Sequence, residues 1–279
     1  AAGSNVSVGG VVVGTLANNI AAGNTLQVNL NTNATTANVQ TLVQAATYDN
    51  TSEDPSTSDR TISFVVTDDT GLSSAAATAT VGITAVNDAP TIATLPAAVT
   101  VTEDTQSNID LGTTVFADVD SASITVTLTA SAGTFAAPAD GASVGGGVTE
   151  TLQSATVITL VGSPADINTY LDTASNIQYT PASNVNGNAA ATITVTMNDG
   201  DGSGDVAAGT VNVNVTAQND APVISLASTT LTVNEDSSNT PIGNHTVSDV
   251  DNTSLRVTLS ATNGTLSVGS STGLTYVTG

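Results

Sequence analysis

Residues 117–135 read ADVDSASITVTLTASAGTF, and residues 248–266 read SDVDNTSLRVTLSATNGTL, 131 positions further on. Two properties of this phrase decide the fold class. Ile124, Val126 and Leu128 alternate with Thr125, Thr127 and Thr129, the period-two pattern of a strand with one buried face. The phrase also occurs twice, so it belongs to a repeat. Other phrases return in the same order at nearly the same spacing. AVNDAP (85–90) returns as AQNDAP (217–222), VTVTEDT (99–105) as LTVNEDS (231–237), and TISFVVTDDTG (61–71) as TITVTMNDGDG (192–202).

The period divides the chain into three domains, 1–87, 88–219 and 220–279. It predicts a complete central domain, a first domain lacking its first third and a third domain stopping before its second half. The expected explanation is a window on a longer polypeptide. The alternative is a head-to-tail assembly in which the end of one copy completes the start of the next. Alternation continues through Ile193, Val195 and Met197, and again through Val211, Val213 and Val215. Many short alternating strands punctuated by Gly and Asn predict an all-β fold, a tandem array of immunoglobulin-like antiparallel β-sandwiches. One short helix interrupts each repeat. In SPADINTYL, Ser163 is placed as N-cap and Pro164 as the first helical residue, with Ile167, Tyr170 and Leu171 on one face. Val39, Leu42 and Val43 have the same spacing in the first domain.

Composition narrows the function. There are 24 acidic residues against two basic ones, Arg60 and Arg256, no cysteine, and a net charge of −22. Phosphate binding needs Lys and Arg, so neither nucleic acid nor an anionic membrane is an expected partner. Without cysteine there is no disulfide and no thiolate. Aromatics are 3% of the chain against 39% hydrophobic residues overall, so the core must be aliphatic. No apolar run reaches the roughly 18 residues of a membrane span. His245 is the single histidine. A repeat array would give each module its own active site, and one histidine cannot serve that plan, so no enzyme is expected.

Tracing strand direction locates the acids. If a domain is entered at its top, Asp118, Asp120 and Asp199 return there, beside Asn87 and Asp88 of the linker. Asp59, just before the strand starting near residue 61, is expected at the bottom of the first domain, facing the same junction. Glu103 and Asp104 fall at the bottom of the central domain, with Asn219, Asp220, Asp249 and Asp251 at the second junction. So many carboxylates cannot stay ionised without positive charge nearby, and the chain has no lysine to supply it. A hard cation with oxygen ligands is the natural counter-charge. Calcium, with about 6–8 oxygens in a flexible geometry, suits it best.

These residues resemble a known family. AVNDAPTI and AQNDAPVI are similar to the calcium-binding linker of cadherin repeats. The Asp-Val-Asp motif, Asp68 and Asp199 after the returning strand, and Glu103 and Glu235 match other cadherin ligand positions. Asp59-Arg60 looks like the Asp-Arg-Glu motif with Thr61 in place of its glutamate, and the central domain has no acid at that place. YDNTSEDPSTSDRTISFVVTDDTG (48–71) is similar to cadherin-like tandem repeats of giant bacterial surface proteins of the RTX-adhesin type. The resemblance implies an extracellular, cell-surface extender whose junctions are rigidified by Ca2+, with neighbouring repeats or further copies as partners. A self-assembling filament, sheath or surface-layer subunit is the alternative.

Overall fold

The computed structural model describes residues 1–21, 23, 25–136, 141–238 and 240–268. The last part of the expected third domain, residues 269–279, therefore lies outside the described residues. The chain forms two compact units, Ala1–Ala85 and Val86–Gly279.

The first unit contains strands β1 (Asn5–Val8), β2 (Val11–Leu16) and β3 (Val28–Leu30) in one antiparallel sheet, helix α1 (Thr36–Gln44), and the antiparallel pair β4 (Arg60–Phe64) and β5 (Ala77–Val81). Thr35 caps α1 by accepting the Asn38 N–H. The expected apolar face of α1 is not buried: Val39 and Leu42 are half-buried and Val43 is exposed. Among the described residues of this unit, Val13 is the one fully buried hydrophobic side chain.

The second unit has a dense core. Seven strands form its main sheet, in the order β12 (Gly141–Gly145), β13 (Val148–Ser154), β14 (Val157–Gly162), β10 (Ile124–Ala130), β16 (Gly187–Asn198), β17 (Val206–Thr216) and β7 (Ala98–Thr102). Every pairing in it is antiparallel except β17 with β7. A second layer holds β6 (Thr91–Thr94) paired with β9 (Val115–Ala117), a sheet of β11 (Thr134–Ala136), β15 (Gln178–Thr180) and β8 (Ser107–Asn108), and helix α2 (Pro164–Leu171). The alternation of β10 is realised residue by residue: Ile124, Val126, Leu128 and Ala130 are buried, and the residues between them are not. They join one cluster with Ile158 and Leu160 of β14, Ile193 and Val195 of β16, Phe116 of β9 and Tyr179 of β15. Each large buried aliphatic side chain contributes about 1.5–3 kcal/mol relative to exposure.

The run from Pro90 to Glu103 is extended in two pieces, divided at Leu95–Pro96. β6 pairs with β9, and β7 joins the main sheet beside β17. Pro96 lacks an N–H for a ladder and restricts the residue before it, so the change of sheet falls there. The parallel pairing runs from Asn212↔Ala98 to Thr216↔Thr102, which brings both strands out at the same end.

Helix α2 follows its sequence signals. Ser163 Oγ accepts the Asp166 N–H at 3.1 Å and donates to Asp166 Oδ2 at 2.7 Å, Pro164 opens the helix, and Ile167, Tyr170 and Leu171 are its buried residues. The Tyr170 hydroxyl donates to the buried Glu150. Asn168 clamps β9 from both sides: its Oδ1 accepts the Phe116 N–H at 2.9 Å and its Nδ2 donates to the Phe116 carbonyl at 3.0 Å. The helix thereby holds the strand that delivers residues 118–121. Replacing Ser163 with Ala is expected to cost about 1 kcal/mol, read as a lower urea midpoint; an unchanged midpoint would mean that the cap does not limit stability.

After residue 219 the chain remains in the second unit. β18 (Val223–Ser225) pairs with β19 (Thr246–Ser248), which repeats the β6–β9 pairing. None of the described hydrophobic residues from 220 onward is buried.

Candidate functional site

The linker and two loops meet at one end of the main sheet of the second unit. The Asp88 N–H donates to Asp120 Oδ2 at 3.0 Å. Asp118 Oδ1 accepts the N–H groups of Asp120 at 3.1 Å and Ser121 at 2.7 Å, the local turn that Asp favours. Asn87 Nδ2 donates to Asp199 Oδ2 at 3.0 Å, and Asp199 also takes the Ser203 hydroxyl at 2.6 Å and the Asp201 N–H at 2.8 Å. Hydrogen bonds from Ser203 first, then Asn87 and the Asp201 amide, hold the Asp199 carboxyl below its ordinary value. Ser121 Oγ donates to Asp201 Oδ2 at 3.2 Å, tying the two loops together. Three separate segments are joined through carboxylates, yet Asp118 Oδ2 and Asp120 Oδ1 are buried with no hydrogen-bond partner.

The same arrangement is built again at the bottom. The Asp220 N–H donates to Asp251 Oδ2 at 2.6 Å, and Asp249 Oδ1 accepts the N–H groups of Asp251 at 2.9 Å and Asn252 at 2.7 Å. Asn219 departs from its counterpart: its Nδ2 donates to the Asp220 carbonyl at 2.8 Å, and its Oδ1 accepts from Asn252 Nδ2 at 2.9 Å. Glu103 directly follows β7 and is 1% exposed. Its carboxylate accepts the Gln218 N–H at 3.0 Å and Asn186 Nδ2 at 3.2 Å, and its own N–H donates to the Thr216 carbonyl. Asp104 adopts a left-handed φ of 51°, and its Oδ1 accepts the Asn184 N–H at 3.1 Å. Asp220 carries the cost of this gathering. Partial burial, then the charges of Asp104, Asp251, Glu103 and Asp249, push its carboxyl above the ordinary value. Asp220 Oδ2 is also buried without a partner. Beside it lies an open cleft of about 150 Å³ lined by Asn184, Asp220, Ala221, Val223, Ser248, Asp249 and Val250.

Among the described residues, no three His, Cys, Asp or Glu side chains are grouped so that they could hold a metal ion as they stand. The acids meet as pairs through backbone N–H groups rather than as a preformed cage. Asp59 belongs to the first unit, where its Oδ1 lies over Gly82: a Cβ built there would sit 3.6 Å away. Asp68, also in the first unit, folds its carboxylate onto Thr70 and Leu72, and these bonds lower its pKa. His245 Nδ1 accepts the Ala227 N–H at 3.2 Å.

Sequence reasoning missed Asn186 and Gln218, which satisfy Glu103, and Asp201, which links the upper loops. The stretch ASNVNGNAAAT (182–192) stands out in the sequence only for its lack of an acid. The two asparagines before Gly187 carry the missing signal, since amides can serve a buried carboxylate as donors. Gln218 acts through its backbone, for which side-chain identity gives no sign.

No known family model matches the sequence, and no curated protein matches it. Among solved structures, the chain is similar to domains 4 and 5 of the S-layer protein SbsC at 14% identity. That similarity covers 56% of this chain and 70% of the other, with a TM-score of 0.24, a value at which the likeness carries no argument.

Proposed function

We propose that the chain is a segment of an extracellular array of immunoglobulin-like β-sandwich repeats, and that calcium bound at each repeat boundary sets the joint. Its work is mechanical: it spans distance and holds a binding head or a neighbouring filament away from a surface. The observation that carries this reading is the duplicated geometry. In both places an Asn-Asp linker donates an N–H to the second Asp of an Asp-Val-Asp turn, whose first Asp is folded on its own backbone.

The donor set suits the ion. It consists of carboxylate, amide and carbonyl oxygens, which calcium accepts in a flexible shell. The oxygens of Asp118, Asp120 and Asp220 that are buried without a hydrogen-bond partner are candidate ligands, and burial first, then the neighbouring carboxylates, raises the Asp220 pKa. At the first boundary Asn87, Asp88, Asp118, Asp120 and Asp199 would hold the ion. At the second the holders would be Glu103, Asp104, Asn219, Asp220, Asp249 and Asp251. Calcium supplies positive charge there. The side chains supply orientation. Among the described residues no helix is long and apolar enough to cross a membrane.

Asp220→Asn tests the reading through a change of sign. The folded-state pKa of Asp220 is raised, so protonation favours the fold. That advantage is complete below the ordinary value of 3.8 and is lost as pH rises through the raised value. At neutral pH in chelator, the substitution removes a charge disfavoured by desolvation and then by neighbouring carboxylates, and should raise Tm. In calcium the same change removes a ligand and should lower Tm relative to the parent chain. A shift of the same sign in both buffers would count against a calcium role for Asp220.

A further inference from the structure

Residues 186–187 are Asn-Gly, and Asn263-Gly264 is the other such pair in the chain. In this dipeptide the asparagine amide can be lost without any enzyme. Glycine has no Cβ to shield its backbone nitrogen, so that nitrogen reaches the side-chain carbonyl carbon of the preceding asparagine and closes a five-membered ring. The fold leaves Asn186 open to this reaction. Asn186 and Gly187 are both exposed. Gly187 has a positive φ of 112°, and a Cβ built on it would meet nothing within 4 Å. The ladder is irregular beside it: Gly187 pairs with Val215 and the next pairing is Ala191 with Val213, so residues 188–190 stand opposite Asn214 alone. Strand ends next to such a bulge open more readily than the body of the sheet.

What this amide holds gives the position its interest. Asn186 Nδ2 donates to both Oε1 and Oε2 of Glu103, at 3.2 Å each. Glu103 is 1% exposed, and its other donor among the described residues is the Gln218 N–H at 3.0 Å. Two residues before Asn186, the Asn184 N–H donates to Asp104 Oδ1 at 3.1 Å. The segment 184–186 therefore supplies donors to two neighbouring acids at the second boundary. Ring closure at Asn186 expels the nitrogen that holds Glu103.

We propose that Asn186 is a self-modification site, and that its deamidation replaces the amide donor on Glu103 with a further carboxylate. The Gly187 nitrogen bonds to Asn186 Cγ, the Cγ–Nδ2 bond breaks, and Nδ2 leaves as ammonia, taking up the proton from the Gly187 N–H. Water then adds to one of the two ring carbonyls. Opening at Cγ gives aspartate, and opening at the backbone carbonyl gives isoaspartate. Water is the only co-reactant. The product sets a like charge within hydrogen-bond range of a buried carboxylate, which also loses a charge-assisted hydrogen bond. The end of the β7–β17 pairing, where Glu103 sits, is thereby loosened. On the calcium reading above, on which this last step rests, the added carboxylate makes the second boundary depend more on its ion as the chain ages.

The test incubates the full chain in chelator at mildly alkaline pH and follows its peptides by mass spectrometry, with fragmentation that separates isoaspartate from aspartate. The exposed pair Asn263-Gly264 is the internal clock, and incubation runs until Asn263 has largely converted. The peptide holding Asn186 should gain about 1 Da as its amide becomes an acid, in both product forms. The parent's Tm should fall over the same period, while Asn186→Gln, which keeps an amide but closes a ring only slowly, should hold its Tm. Asn186→Asp fixes one product. It should lower Tm in chelator by about 5 °C, and calcium should recover most of that loss. Asn263→Asp should move Tm by no more than about 1 °C. An Asn186 still intact when Asn263 has converted, or an Asn186→Asp chain with the parent's Tm in chelator, would overturn the proposal. A loss in chelator that calcium does not recover upholds the modification while leaving the calcium joint without support, so the two readings fail separately.

Discussion

Leu128→Ala is expected to destabilise the second unit by about 2–5 kcal/mol, while Val161→Ala changes it by no more than about 0.5 kcal/mol. The two residues are both aliphatic and lie on neighbouring strands of one sheet, β10 and β14. Leu128 is 0% exposed and sits between Ile158 and Val195 in cross-strand register; Val161 is 39% exposed on the opposite face. Truncation leaves a space inside a close-packed core that the surrounding strands fill only in part. The cavity term therefore adds to the lost transfer energy. Urea denaturation followed by circular dichroism reads both variants. Equal losses at the two positions would mean that the sheet does not bury the face its alternation assigns.

Glu103→Ala is the second large effect, about 2–4 kcal/mol in chelator. The carboxylate is buried and accepts from both Asn186 and the Gln218 backbone. Truncation leaves those two donors without their acceptor at the end of the β7–β17 pairing, and unsatisfied donors cost more than the bonds themselves contribute. Glu103→Gln separates packing from charge. It keeps one acceptor oxygen and most of the shape, so its cost in chelator should be about 1 kcal/mol, but it should lose part of any calcium response. If Ala and Gln behave alike in chelator, the hydrogen bonds to Asn186 and Gln218 contribute little.

The strands and the second helix are legible in the sequence because each follows from local chemistry. Period-two alternation marks β10, β16 and β17, and Ser163-Pro164 marks the start of α2. Less local features are harder to read. The break at Pro96 could be suspected from the proline, but the parallel pairing of β7 with β17 depends on residues over a hundred positions apart and has no local signature. The apolar face of α1 shows the limit of periodicity: Val39, Leu42 and Val43 have the right spacing, yet burial depends on a neighbour that their own sequence does not contain. At the candidate sites, the acids are visible as residue types, and strand direction places Asn87, Asp88, Asp118, Asp120 and Asp199 together. The partners that satisfy Glu103 are not visible, because an asparagine amide and a backbone N–H leave no charge pattern.

The most direct measurement is the thermal unfolding of the chain, with a calorimetric titration, in about 1 mM calcium and in chelator. A site with micromolar to tens-of-micromolar affinity contributes about 2–4 kcal/mol at that concentration. Tm should therefore rise by about 5 °C or more, with binding heat lost when Asp118, Asp120, Asp249 and Asp251 are replaced by Asn. A Tm that is the same in both buffers, with no binding heat from the parent chain, would contradict calcium at the joints and leave the acids as solvated turns.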